Sequence, residues 1–158
     1  GFPGIPLGIC ISKANIILVD SVIKKVNFMQ QLIQLLNLNG IEIVNNRIEN
    51  LGKDENFRKT QNLILSRAVA KLSTLIEVAL PVLEVGGYCI FHKSNLTNAE
   101  FESMNKTLKY FDAQLIEIYE VPNELLSRNH NLIVIKKNVE IDFEYPRSNN
   151  KPFRKPLF

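Results

Sequence analysis

The order of strand-type and helix-type segments is the feature that most constrains this chain. Continuous apolar runs, typical of strands covered on both faces, alternate with segments whose apolar residues recur every three or four positions. The runs lie at 15–19, 41–44, 63–65 and 88–91, and the helical patterns at 5–12, 22–36, 69–83 and 97–110. Gly86-Gly87 is predicted to turn the chain into the run at 88–91, and Thr97 to Glu100 has the spacing of a capping box. This alternation predicts an α/β fold with right-handed crossovers and a mainly parallel sheet. Two late strands, 114–119 and 131–135, lack a clear helix between them and predict a closing antiparallel hairpin.

The first 21 residues have the pattern of a nucleotide-type cofactor site. A glycine- and proline-rich loop, 1–8, is followed by a short helix and then by an apolar strand that ends at Asp20-Ser21. A loop with little side-chain bulk lets backbone N–H groups approach a ligand, and a carboxylate after the next strand suits ribose hydroxyls. No strand precedes the loop, so we interpret the segment as the back half of such a site. Asp20 or Ser21 is predicted to cap the following helix.

Composition favours one globular domain outside any membrane. The chain has 158 residues, of which 46% are hydrophobic and 22% charged. No apolar stretch reaches the roughly 18–20 residues that cross a bilayer, and no secretory signal is recognisable. Cys10 and Cys89 each lie in an apolar run and are predicted to be buried free thiols, with no metal site. We therefore expect a cytoplasmic protein.

The positive charge is concentrated at the C-terminus. The formal net charge is +3, and residues 145–158 hold four basic residues and no acidic one. The remaining chain has 15 basic and 16 acidic residues, so it is nearly neutral. A short basic tail with prolines suits contacts with phosphates. The charge alone fits a merely solubilising terminus equally well.

Several short strings, in the right order along the whole chain, resemble one family. They are Gly1-Phe-Pro-Gly-Ile-Pro-Leu7, Asp20-Ser21-x-x-Lys24, Arg47-x-Glu49, Ser66-Arg67-Ala68-x-Ala70, Arg128-Asn-His130 and the tail from Tyr145-Pro-Arg147 to Lys155-Pro-Leu157. By these residues the chain is similar to the bacterial ribosomal RNA small-subunit methyltransferase G family, also called glucose-inhibited division protein B.

The resemblance implies a class I methyltransferase that uses S-adenosylmethionine (SAM). Its fold would be a Rossmann-like, mainly parallel sheet with a C-terminal antiparallel hairpin, here lacking the first strand, which lies between the strands at 15–19 and 63–65. The implied reaction is methylation of N7 of a guanine in 16S ribosomal RNA. The implied partner is that RNA or the small ribosomal subunit, and we expect a monomer. We predict a methyltransferase domain over 1–144 and a basic tail over 145–158.

The resemblance also implies which residues bind. No catalytic side chain is expected, because guanine N7 presents a lone pair and carries no hydrogen, so methyl transfer needs in-line positioning more than a base. The cofactor-binding residues expected are Gly1, Phe2, Asp20, Ser21, Val22, Ile48, Glu49 and Arg67. The RNA-binding residues expected are Lys24, Arg47, Lys93, Arg128, Arg147, Lys151, Arg154 and Lys155.

Three alternatives remain open from the sequence. One is an inactive fragment of the same family, because the cofactor motif is incomplete. Another is a non-catalytic module that binds ribosomal RNA through its basic residues. The third is a nicotinamide-dependent Rossmann enzyme, which would share the glycine-rich loop and the acidic residue.

Overall fold

The computed structural model describes residues 1–67, 69–122 and 130–158. The chain divides into two compact units, Gly1–Ile48 and Glu49–Phe158, and its strands form two sheets. The elements are α1 (Gly4–Cys10), β1 (Ile16–Val19), α2 (Ile23–Leu35), β2 (Ile41–Val44), α3 (Ile48–Leu51), β3 (Gln61–Arg67), α4 (Leu72–Ala79), β4 (Leu83–Ser94), α5 (Asn98–Tyr110), β5 (Ala113–Val121), β6 (His130–Lys137) and α6 (Lys151–Arg154). In the part of the chain that the structure describes, no helix has the length and apolarity needed to span a bilayer.

The first unit is a two-stranded parallel sheet with two helices. β1 pairs with β2 from Ile16–Ile41 to Val19–Val44, which confirms the parallel pairing expected from a helical crossover. The buried core of this unit is small and comes from both helices and β1. Its members are Ile5, Leu18, Val26 and Met29.

Two glycines of α1 let the helix approach the sheet closely. Gly4 and Gly8 are one turn apart and therefore lie on the same face of the helix. A Cβ at Gly4 would overlap Leu18 Cδ2, and a Cβ at Gly8 would come within 2.6 Å of Ile41 Cδ1. The glycine-rich opening thus has a packing role, like the glycine that brings helix and strand together in dinucleotide-binding folds.

The second unit contains a four-stranded mixed sheet in the order β3-β4-β6-β5. β3 and β4 are parallel, and β6 runs antiparallel to both β4 and β5, which confirms the predicted closing hairpin. Buried residues of α4, α5 and the sheet form one large core. It includes Leu72, Ile76, Leu80, Leu83, Phe91, Met104, Ile133 and Ile135.

Four local predictions were wrong or incomplete. The N-cap of α2 is Val22 rather than Asp20 or Ser21, and it makes no side-chain cap. α4 covers only Leu72–Ala79 of the predicted 69–83, because its final turn stops before Pro81. Cys10 is exposed, although it is a free thiol as predicted, and Cys89 is both free and buried. Gly86 lies inside β4 at φ +89°, where the register with β3 shifts, and does not form a separate turn before the strand.

The predicted basic tail is packed against its own unit. Tyr145 is buried, and its hydroxyl lies 2.6 Å from that of Tyr110 on α5. Thr74 of α4 donates to the carbonyl of buried Pro152 at 2.9 Å, and Ser103 of α5 donates to that of Phe158 at 2.8 Å. The segment 145–158 is therefore held to both helices along its length.

Candidate cofactor and RNA site

The first unit places an oriented carboxylate directly after β1. Asp20 Oδ1 accepts a hydrogen bond from Val22 N–H at 2.9 Å, and Asp20 Oδ2 lies 3.5 Å from Lys25 Nζ. The backbone carbonyl of Asp20 also accepts from Asn45 Nδ2 at 2.9 Å. The local turn therefore fixes the carboxylate, while the longer ion pair to exposed Lys25 leaves capacity for further donors.

The other candidates of the first unit are mostly exposed. Phe2 is 61% and Val22 45% exposed, and Gly1 and Ser21 are exposed as well. Ile48, the last residue of this unit, is half-buried. The structure brings Ser21 and Val22 together with Asp20 in one turn. The cations Lys24 and Arg47 are exposed within the same unit.

The second unit places further candidates at the carboxyl ends of β3 and β4. Arg67 is the last residue of β3 and is exposed, whereas Glu49 is buried at the start of the unit. The hydroxyl of Ser66 is buried and has no hydrogen-bond partner among the described residues. A buried hydroxyl without a hydrogen-bond partner, next to Arg67 in the chain, can form a hydrogen bond with a polar group of a ligand. Ser66 belongs to the sequence motif at 66–70 but is not among the predicted site residues.

Lys93 is held by its own unit. Its Nζ lies 2.7 Å from Glu100 Oε1 and donates to the carbonyl of Ala70 at 3.1 Å. Glu100 also accepts from the N–H of Leu72 at the start of α4, so the predicted capping box is made only on the Thr97 side. Lys93 is thus positioned at the strand end, with its charge largely satisfied.

A histidine pair lies on the same edge of the sheet. His92 Nε2 is 2.9 Å from His130 Nδ1, and Arg67 is the cross-strand partner of His92. Burial, and next the charges of His130 and Arg67, lower the pKa of His92. The two histidines lie 38 positions apart in the sequence, and only the antiparallel pairing of β4 with β6 brings them together.

The predicted RNA-binding cations of the tail fall into two groups. The guanidinium of Arg147 binds Glu77, a fully buried residue of α4, through Nε at 2.8 Å and Nη2 at 2.6 Å, so it has a structural role. Lys151, Arg154 and Lys155 are exposed on and after α6. The remaining candidate, Arg128, lies outside the described residues.

The residues present suit a cofactor with a ribose and a charged amino-acid end. The Asp20 carboxylate can accept from ribose hydroxyls, and the exposed Phe2 ring offers an apolar surface. Arg67 and the buried Ser66 hydroxyl can bind a carboxylate or a polar group. Each unit thus carries, by itself, groups that suit one part of SAM.

Solved structures identify the fold as that of the SAM-dependent methyltransferases. A 16S rRNA (adenine(1408)-N(1))-methyltransferase from Catenulisporales acidiphilia aligns with a TM-score of 0.70 at 11% identity, over 90% of this chain and 80% of that one. TYW2 from M. jannaschii, solved in complex with AdoMet, aligns with a TM-score of 0.63 at 12% identity, over 87% and 64%. These likenesses establish the architecture.

The particular family follows from closer matches in sequence. Residues 1–130 match the family model of rRNA small subunit methyltransferase G (GidB). Ribosomal RNA small subunit methyltransferase G of Clostridium novyi is 35% identical over 99% of this chain, and that of Bacillus cytotoxicus is 36% identical over 99%. The chain belongs to the rRNA small subunit methyltransferase G family, as its motifs predicted. It spans 65% and 66% of the lengths of these two relatives.

Proposed function

We propose that this chain carries the SAM-binding and RNA-binding surface of an enzyme that methylates N7 of a guanine in 16S ribosomal RNA. The observation that carries the proposal is the family match over residues 1–130, which includes the fixed carboxylate of Asp20 at the end of β1. We further propose that the protein acts in the cytoplasm as a monomer.

The proposed chemistry needs positioning more than proton transfer. SAM, when bound, supplies a methyl group on a sulfonium. Guanine N7 has a free lone pair and loses no proton when it is methylated, so no side chain has to act as a general base. We therefore assign binding and orientation, and no catalytic side chain, to the residues of this chain.

Each group of residues has a proposed role. Asp20 accepts from the ribose hydroxyls, with Ser21 and Val22 forming the turn beside it. Ile48 and Glu49 flank the adenine, and Gly1 and Phe2 line the cofactor loop. Arg67 pairs with the methionine carboxylate or orients the RNA. For the RNA phosphates, we assign the exposed charges of Lys24, Arg47, Lys151, Arg154 and Lys155, which would make binding strongly salt-dependent.

Methyl transfer to small ribosomal subunits tests the proposal. Subunits from cells that lack the modification would be incubated with the protein and labelled SAM, and the RNA digested to nucleosides. We expect label in 7-methylguanosine from 16S RNA, and none when the subunits are already modified. Label in another nucleoside, or no label with a chain that binds SAM, would contradict the assignment.

RNA binding without methyl transfer is the second candidate. The exposed basic residues Lys151, Arg154 and Lys155 on and after α6, which can contact phosphates without a cofactor, favour this alternative. It predicts a salt-dependent shift of 16S RNA in a gel and no measurable heat on titration with SAM. Micromolar SAM binding by this 158-residue chain would exclude it.

A further inference from the structure

A polar cavity of about 480 Å³ lies at the end of the second unit's sheet. It is bounded by the turn after β4 and by the adjoining ends of β5 and β6. Its lining combines apolar groups with polar ones: Asn95, Leu96, Ile118, Glu120, Val121, His130 and Asn131. Its volume falls in the range of pockets that bind small organic groups such as a nucleobase.

The strand register places Glu120 in a defined row. Ile118 pairs with the buried core residue Ile133, so Glu120, two residues further on, lies on the same face of the sheet. Glu120 pairs with Asn131, which in turn pairs with Lys93 at the carboxyl end of β4. The cavity therefore adjoins the strand ends that hold the predicted RNA-binding Lys93.

The polar side chains of this cavity have unused hydrogen-bonding capacity. Among the described residues, the side chains of Asn95, Glu120 and Asn131 make no hydrogen bond or ion pair, whereas Lys93 is neutralised by Glu100. An ionised glutamate offers only acceptors, so its partner must present donors. Leu96 and Ile118 supply an apolar surface against which a flat ring can pack.

We propose that this cavity receives the target guanine and that Glu120 recognises its Watson–Crick edge. The inference rests on the proposed function, which makes a guanine in RNA the substrate. Guanine presents two adjacent donors, N1–H and the N2 amino group, to a carboxylate. Adenine presents one amino group beside an acceptor, which a carboxylate repels. Held by N1 and N2, the base directs N7 away from Glu120. Glu120 is thus a specificity residue.

Binding of short RNAs tests this recognition. The probe is a labelled single strand with one guanine among uridines, compared with the same strand carrying inosine, which lacks only the N2 amino group. Fluorescence anisotropy would give both dissociation constants. Loss of one hydrogen bond to a charged acceptor should weaken wild-type binding by about tenfold. Glu120→Ala should bind both RNAs equally.

Glu117→Ala is the matched control, because Glu117 is an exposed carboxylate on the same strand that does not line the cavity. It should keep the tenfold preference, and both variants should melt at the wild-type temperature. A preference retained in Glu120→Ala, or absent from the wild type, would overturn the inference. If the preference is lost in Glu120→Ala and the wild type methylates no 16S RNA, the base site stands and the proposed reaction fails. If the wild type methylates 16S RNA and Glu120→Ala keeps the preference for guanine over inosine, only the proposed role of Glu120 is refuted.

Discussion

The two compact units of this chain position their candidate residues by different means. The first unit, Gly1–Ile48, has a core of four buried residues and fixes Asp20 through a hydrogen bond to a backbone N–H two residues away. The second, Glu49–Phe158, has a large core and buries charged groups in networks. Local turn geometry therefore orders the candidate residue of the first unit, and tertiary packing orders those of the second.

The buried charges of the second unit hold its C-terminal segment. The Arg58 guanidinium donates to the carbonyls of Gly52, Ile141, Asp142 and Tyr145 at 2.5–3.1 Å. The hydrogen bonds to Glu77 raise the pKa of Arg147. Because desolvated charges are costly when unpaired, these pairings hold the C-terminal segment in its folded position.

Arg147→Ala should have the largest effect and should be confined to the second unit. It leaves the fully buried Glu77 carboxylate without its guanidinium, which typically costs about 3–5 kcal/mol. The expected result is a marked fall in the unfolding free energy, with loss of amide protection in β4 and β6. Arg154→Ala, on the exposed face of α6, should stay within about 0.5 kcal/mol of the wild type. Equal stability of the two variants would show that the ion pair contributes nothing.

Asp20→Ala should weaken SAM binding without a comparable loss of stability. Hydrogen bonds to a charged acceptor contribute about 1.5–3 kcal/mol each, so we expect a loss of roughly 10- to 100-fold in affinity. Calorimetric titration measures it. Glu42→Ala removes an exposed carboxylate from β2 of the same unit and should bind SAM normally. Equal affinities for the two variants would remove Asp20 from the cofactor site.

The order of elements could be predicted from the sequence, because apolar periodicity reports burial along each segment. The runs at 15–19, 41–44 and 131–135 became strands, and the spacing of Val26 and Met29 identified the buried face of α2. The cap of α2 was mispredicted because Asp20 bonds the N–H of Val22 instead of one within the first turn of the helix. Local propensity could not distinguish these two hydrogen bonds.

What the sequence could not provide were contacts between distant segments. Arg147 and Glu77 are 70 positions apart. Arg147 was predicted to bind RNA because it lies in the basic C-terminal tail. His92 and His130 meet only through strand register, and Glu120 reaches the cavity only through the pairing of β5 with β6. The positions of the candidates at strand ends could be predicted, because the carboxyl ends of parallel strands lie at the same edge of a sheet.

Gly4→Ala should destabilise the first unit alone, by about 1 kcal/mol. The added Cβ overlaps Leu18 in a packed core, which typically costs about 1–3 kcal/mol, and the better helix propensity of alanine offsets up to about 1. Hydrogen exchange should show faster opening of β1 amides and unchanged β4 amides. Ile9→Ala, at a 56% exposed position of α1, is the control and should leave both rates unchanged. Faster exchange in β4 would contradict a local effect.

The smallest expected effect concerns the pH dependence of the second unit. Burial, His130 and Arg67 lower the pKa of His92 in the folded chain, whereas the unfolded value is about 6.5. Between these two values the unfolded chain binds more protons. The stabilisation is therefore complete above pH 6.5 and is lost as the pH falls through the folded pKa. Partial exposure limits the contribution to below about 1 kcal/mol.

Thermal unfolding at pH 7.5 and at pH 5.5 gives the free energy of unfolding at each pH, and the difference between the two values contains the contribution of His92. His92→Leu keeps an apolar side chain on β4 and removes the titrating ring, so it should lose less stability between the two pH values than the wild type. Ser94→Ala, an exposed change on the same strand, should keep the wild-type slope. Amides of β1 should show the same pH response in all three proteins, because the histidine pair lies entirely within the second unit. A slope that His92→Leu leaves unchanged would assign the pH dependence to other groups.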